Sequence, residues 1–168
     1  IRDRPCAYQP KKNGDLTKIE QAAELLAKAQ RPIIYGGGGL INSGPAACKL
    51  LQEFAEITGF PVTLTLMGLG AFPASNPNFL GMLGMHGTYE ANLAMHNCDV
   101  MLNIGARFDD RVTGRIDAFS PHATKIHIDI DQSSINKNVL ADIPILGDAE
   151  RVLTTMIDYW KKKKLTPR

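Results

Sequence analysis

Short apolar runs recur along this chain at residues 32–35, 61–66, 99–104, 125–130 and 143–146. Each run is continuous rather than alternating, so each reads as a strand buried on both faces. Segments of helical period stand around them. Ala22, Ala23, Leu25, Leu26 and Ala27 follow a capping-box pair, Thr17 and Glu20. Ala46, Ala47, Leu50, Leu51, Phe54 and Ile57 follow Pro45 and stop at Gly59. A third helix is expected from a Thr88 cap to about His96, and a last one from Gly147-Asp148 to about Trp160. Buried parallel strands need helical crossovers. The expected fold is therefore α/β: a doubly wound, mostly parallel sheet of five to six strands, with helices on both faces, of Rossmann-like type. Residues 67–87 read as a long loop spotted with glycine and proline, and residues 105–114 as a polar, charged loop.

The 168 residues suffice for one domain with a real core. It is expected over residues 15–160. Residues 1–14, with Pro5, Pro10 and Gly14, have the composition of an interdomain linker. Residues 161–168 open with four lysines and read as a C-terminal basic linker or solvated helix end. A hydrophobic fraction of 44% with 21% charged residues excludes a disordered chain. No apolar run approaches a bilayer span, and no signal peptide is visible. The start at Ile1 rather than Met suggests a fragment or processed product. Nineteen basic and 17 acidic residues leave a net charge of +2, which recruits neither nucleic acid nor membrane. Cys6, Cys48 and Cys98 include no C-x-x-C, which argues against a disulfide framework or structural zinc. Cys48 and Cys98 read as small core residues. A reducing compartment, bacterial cytoplasm, fits best, with a plastid or mitochondrial parent as the alternative.

Ligands of such sheets bind beyond the carboxyl ends of the strands. Gly36-Gly37-Gly38-Gly39 stands at one such end. It suits close approach of backbone to a nucleotide, or equally a tight turn with no ligand; Ile41 breaks the G-x-G-x-x-G spacing. His127-Ile128-Asp129-Ile130-Asp131 ends the fourth run. Its acids suit a ribose or adenine, or a turn cap by Asp131 ahead of Ser133 and Ser134. If the strand continued, Asp129 and Asp131 would point the same way. The loop from Gly105 through Arg111 sets Arg107 and Arg111 around Asp109 and Asp110. Arginine forks there suit phosphates and flat rings, or the loop is a self-paired surface segment. Met82, Met85 and His86, between Gly81 and Gly87, could line a flat ligand. The histidines have no metal-ligand spacing, and no catalytic constellation is visible, so neither a metal site nor a catalytic residue is expected.

Four segments carry a family resemblance: Thr65-Leu66-Met67-Gly68-Leu69-Gly70, Met82-Leu83-Gly84-Met85-His86-Gly87-Thr88, Gly105-Ala106-Arg107-Phe108-Asp109-Asp110-Arg111-Val112-Thr113-Gly114, and His127-Ile128-Asp129-Ile130-Asp131. In this order and spacing they resemble the central domain of acetolactate synthase (acetohydroxyacid synthase) large subunits, over about residues 15–160. The resemblance implies a thiamine diphosphate enzyme of three domains, in which the middle one carries FAD in a structural role. The parent would condense pyruvate with pyruvate or 2-oxobutyrate in branched-chain amino-acid biosynthesis. It would work as a homodimer or tetramer with a small regulatory subunit. The family's FAD contacts fall on Gly37, Gly38, Gly39, Thr65, Leu66, Leu83, Gly84, Met85, His86, Gly105, Ala106, Arg107, Asp109, Arg111, Val112, Asp129, Ile130 and Asp148. Met85, Asp110 and Arg111 resemble its substrate-channel positions. A linker arginine also belongs to the pattern, with Arg2 and Arg4 as candidates.

The thiamine diphosphate motif is missing: Gly147-Asp148-Ala149 begins like Gly-Asp-Gly and then departs. The resemblance therefore places thiamine diphosphate, Mg2+ and the catalytic glutamate on the pyrimidine and diphosphate domains, and the isolated chain is expected to be inactive. Two other readings compete. One is the middle domain of a glyoxylate carboligase or pyruvate oxidase type enzyme. The other is a stand-alone module for NAD or ADP. A sirtuin-like reading fails for want of four zinc cysteines.

Overall fold

The computed structural model describes residues 10–167. Six strands form one sheet: β1 (Pro32–Gly36), β2 (Val62–Leu64), β3 (Phe79–Met82), β4 (Val100–Ile104), β5 (Thr124–Asp129) and β6 (Ile143–Leu146). Their spatial order is β3-β2-β1-β4-β5-β6, and every neighbouring pair is parallel. The helices are α1 (Leu16–Lys28), α2 (Gly38–Ser43), α3 (Pro45–Thr58), α4 (Tyr89–Asn97), α5 (Asp110–Thr113) and α6 (Ala149–Lys163). The expected α/β architecture is present, and the sheet is wholly rather than mostly parallel.

The two faces of the sheet differ. Ile34, Val62, Leu64, Leu102, Ile104, Ile126, Ile128 and Ile145 point to one side, where α1, α3 and α6 cover them. Trp160 of α6 closes that core edge-on against Phe54 and Phe60, at 5.5 and 6.0 Å between ring centroids. The other side is smaller. Ile33, Tyr35 and Met101 meet Met95 of α4 together with Phe108, Phe119 and Val139 from loops. Cys98 packs there as expected, and burial pushes its thiol up to about 11. Cys48 is half-buried beside the larger core. Cys6 lies outside the described residues.

Four local expectations are corrected. The stretch 67–87 is not all loop, because β3 runs inside it as an edge strand. Its residues are only half-buried, and Gly81 at φ +89° breaks its register with β2. The glycine turn after β1 runs straight into α2, which ends at Gly44 (φ +113°) before Pro45 opens α3. The loop 105–114 contains the single helical turn α5. The cap of α1 is Asp15, not Thr17: Asp15 Oδ1 accepts from the Thr17 and Lys18 N–H groups at 3.0 and 3.4 Å. Asp15→Ala is accordingly expected to lower unfolding stability by about 1 kcal/mol, and Thr17→Ala by a few tenths at most, on a denaturant melt. Equal effects would put the cap back on Thr17.

The segments given to linkers are partly built into this fold. The Lys12 carbonyl accepts from the Asp148 N–H at 2.8 Å, and Asn13 bridges to Gly147. At the other end α6 continues to Lys163, and Lys161 pairs with Glu53 on α3 at 2.5 Å.

Candidate functional site at the carboxyl edge of the sheet

The strand order reverses between β1 and β4: the chain builds outward through β2 and β3, then returns to add β4, β5 and β6. The segments that follow β1 and β4 go on to opposite faces of the sheet, with Leu40 in the larger core and Phe108 in the smaller, and such a switch point is where these folds form a crevice. A cavity of about 680 Å³ occupies it, walled by residues that follow β1, β2, β4, β5 and β6. Four inter-strand spacings separate Thr65 at one end from Asp148 at the other, about 19 Å at roughly 4.8 Å per spacing. That length suits an extended dinucleotide better than a mononucleotide.

Thirteen of the 18 cofactor contacts that the resemblance implies line this cavity: Gly38, Gly39, Thr65, Leu66, Gly105, Ala106, Arg107, Asp109, Arg111, Val112, Asp129, Ile130 and Asp148. Gly37 stands just behind the wall. Leu83 is buried in the smaller core, and Gly84 abuts the Arg111 carbonyl and Val112. Met85 and His86 are exposed, and the Met85 N–H donates to the Arg111 carbonyl at 2.9 Å. Asp110 is exposed in the first turn of α5. The 83–86 segment and Asp110 therefore flank the cavity through α5 rather than form its wall. Arg2 and Arg4 lie outside the described residues.

The glycines also have a reason within the protein itself. A Cβ on Gly39 would stand 2.6 Å from the Gly105 Cα, and one on Gly37 would stand 2.6 Å from the Ala106 Cα and press on the Gly105 carbonyl. These positions are filled by the protein's own backbone, so glycine here lets the β1 loop and the β4 loop touch. The Gly39 N–H donates to the Gly105 carbonyl at 3.0 Å across that contact. Asn103 completes the turn, bonding both the N–H and the carbonyl of Ala106 at 3.1 and 2.7 Å.

The acids are held individually. Asp109 caps α5 by accepting from the Arg111 N–H at 3.1 Å. That bond first, then Asp110 and the Arg107 and Arg111 charges, hold its carboxyl below the usual range. Asp129 is buried, and its Oδ1 accepts from the Asp131 N–H at 2.8 Å. Asp131 lies beyond the end of β5, so strand alternation does not align it with Asp129. It accepts from the Ser133 hydroxyl and N–H, and these hold its carboxyl below the usual range. The Ser43 hydroxyl donates to the Asp148 carboxylate at 3.0 Å and accepts from the Glu150 N–H at 3.1 Å, joining α2 to the start of α6. Among the described residues, ion pairs join Arg115 to Asp117, Lys161 to Glu53 and, when the imidazole is charged, His127 to Asp129. Arg107 and Arg111 are in none of them, so the charged loop is not self-paired. Two cationic forks thus stand at the cavity wall with their capacity unspent.

Met67, Asp131 and Ser134, named in the sequence segments but given no cofactor contact, also line the cavity, and Tyr35, Asn42 and Ser43 line it without having been singled out. Among the described residues no three His, Cys, Asp or Glu side chains converge as a metal-ligand group. No helix there is long and apolar enough to cross a membrane.

Fold and site together define a doubly wound, parallel α/β domain with a cavity at the carboxyl edge of its sheet. Residues 19–156 match the family described as thiamine pyrophosphate enzyme, central domain, and the chain belongs to that family. It is 52% identical over 158 residues to the acetolactate synthase large subunit of Buchnera aphidicola subsp. Schizaphis graminum, covering 94% of this chain and 27% of that protein. It is 50% identical over 152 residues to the acetolactate synthase isozyme 3 large subunit of Escherichia coli K12, covering 90% and 26%. A probable acetolactate synthase large subunit of Methanocaldococcus jannaschii is 53% identical over 150 residues, covering 89% and 25%. The chain thus spans about a quarter of the length of the curated relatives it matches.

Proposed function

We propose that this chain is the FAD-binding central domain of an acetolactate synthase large subunit. The observation that carries the reading is the cavity itself, with its five-strand span and two unpaired arginines. FAD has an anionic centre between two flat ends, and the wall has matching chemistry. Arg107 and Arg111 would neutralise the pyrophosphate. Asp129 would accept from hydroxyls of the adenosine half, with Ile130 and Asp148 beside it. Thr65 and Leu66 would meet the opposite end, and Gly37, Gly38, Gly39, Gly105, Ala106, Asp109 and Val112 would shape the middle. Leu83, Gly84, Met85 and His86 complete the proposed cofactor set from the flank, and Met85, Asp110 and Arg111 the substrate channel.

In the parent enzyme, FAD would hold this domain's architecture rather than carry electrons. Thiamine diphosphate and Mg2+ would be held by the pyrimidine and diphosphate domains. There the enzyme would decarboxylate pyruvate and transfer the hydroxyethyl group to pyruvate or 2-oxobutyrate. A homodimer or tetramer with a small regulatory subunit, in bacterial cytoplasm, is the assembly this reading carries. The test is an absorption and fluorescence titration of the purified chain with FAD, using NAD and ADP as competitors. Saturable FAD binding that NAD does not displace is expected. A folded chain that leaves FAD free, together with a flavin-free parent enzyme, would sink the reading.

A further inference from the structure

Four polar side chains lie in one row across the sheet. Thr63 of β2 is in register with Tyr35 of β1, Tyr35 with Asn103 of β4, and Asn103 with His127 of β5. All four are 0% exposed, and they lie on the face opposite the aliphatic one. Two are satisfied. Thr63 Oγ1 donates to the Gly81 carbonyl at 3.0 Å, and Asn103 bonds Ala106 as described. The Tyr35 hydroxyl and both ring nitrogens of His127 are buried with no hydrogen-bond partner among the described residues, although His127 Nε2 stands 3.8 Å from Asp129 Oδ2. A buried, unsatisfied hydroxyl carries a desolvation penalty that phenylalanine at the same site would avoid. Such a group calls for a partner.

Tyr35 differs from His127 in belonging to the cavity wall. Its ring packs against Phe108, with centroids 5.8 Å apart. Phe108 is itself buried, and it holds a left-handed φ of +52° between the lining residues Arg107 and Asp109, so the loop that walls the cavity there covers the Tyr35 ring. Burial first, and the nearby Asp109 charge second, push the Tyr35 hydroxyl well above its ordinary range, so it stays protonated and serves as a donor.

We propose that Tyr35 is a further ligand-binding residue of this cavity, its Oη–H donating a hydrogen bond to an acceptor oxygen of the bound dinucleotide beneath the Arg107–Asp109 loop. The assignment rests on the dinucleotide reading above. The acceptor can belong to the phosphate half or to the flavin half, and the ligands tested separate the two.

The experiment compares the 168-residue chain with its Tyr35→Phe variant, which keeps the ring and its packing. Expected is about a tenfold weaker FAD affinity, the size of one hydrogen bond. The ligand-free thermal midpoint should stay or rise, because an unsatisfied hydroxyl has been removed. Loss of ADP affinity in parallel assigns the oxygen to the phosphate half; loss for riboflavin assigns it to the flavin ring. Thr63→Val removes a satisfied hydroxyl from the same row and should do the reverse, lowering the midpoint without weakening FAD. A wild type that binds FAD and a Tyr35→Phe variant that binds it equally well overturn this assignment alone. If the isolated chain takes no flavin, the same comparison is made in the parent enzyme, and a flavin-free parent overturns the dinucleotide reading and this assignment with it.

Discussion

Gly105→Ala is expected to destabilise the domain by about 2–5 kcal/mol, much of the roughly 5–15 kcal/mol a domain has. Two effects add. Gly105 holds φ +64°, which costs an L-residue about 1–2 kcal/mol. Its Cβ would also stand 2.6 Å from the Gly39 Cα, and 3.0 and 3.1 Å from the Gly39 carbonyl carbon and nitrogen. Backbone cannot rotate aside as a side chain can, so overpacking adds about 1–3 kcal/mol. Gly59→Ala is the matched control. Gly59 caps α3 at φ +70°, and a Cβ there meets nothing within 4 Å. Only the conformational penalty remains, about 1 kcal/mol, partly offset by a less flexible unfolded chain. Urea melts of both variants separate the terms. Equal shifts in midpoint would mean that the β1–β4 loop contact contributes nothing, and that the crevice is not held by it.

That contact also shows where the sequence was legible and where it was not. The strands β1, β2, β4 and β5 stood out because they are covered on both faces, by α1, α3 and α6 on one side and by α4 and loop residues on the other, which forces continuous apolar runs. β6, at one edge, is only alternately buried but still reads as an unbroken apolar run. β3, at the other edge, is half-buried throughout and interrupted by Gly81. α2 hid behind the glycines that open it. The site followed from one rule, that ligand residues stand after strands, and the rule placed Arg107, Asp129 and Thr65 at one cavity. What it missed depends on relations between distant segments. Ser43 matters only because α2 folds back onto Asp148. Tyr35 sits within an apolar run and reads as core until its register with Asn103 and its place in the wall are known. The glycine turn was read as an approach to a ligand or as a tight turn, and neither reading could name Gly105, 66 or more positions away in sequence, which Gly37 and Gly39 meet.

The second large effect is on binding rather than folding. Arg107→Ala and Arg111→Ala should each weaken FAD by about 10- to 100-fold, the range of a charge-assisted hydrogen bond. Ligand-free stability should move by less than about 0.5 kcal/mol, since neither guanidinium is in an ion pair among the described residues. The double variant is expected to fall short of the product of the two losses, because both forks would serve one pyrophosphate. It would also leave the Asp109 carboxylate facing the ligand without the two cations that help hold it ionised. Charge makes a further distinction. Raising salt should weaken FAD and ADP binding by the wild type, and do so less for the double variant, because screening acts on the interaction already removed. Riboflavin lacks the phosphates and should bind all forms alike. A double variant that keeps wild-type affinity for FAD would remove the arginines from the site. The charged loop would then be a surface segment whose forks point past the ligand, and the affinity would have to come from the backbone and from Asp129.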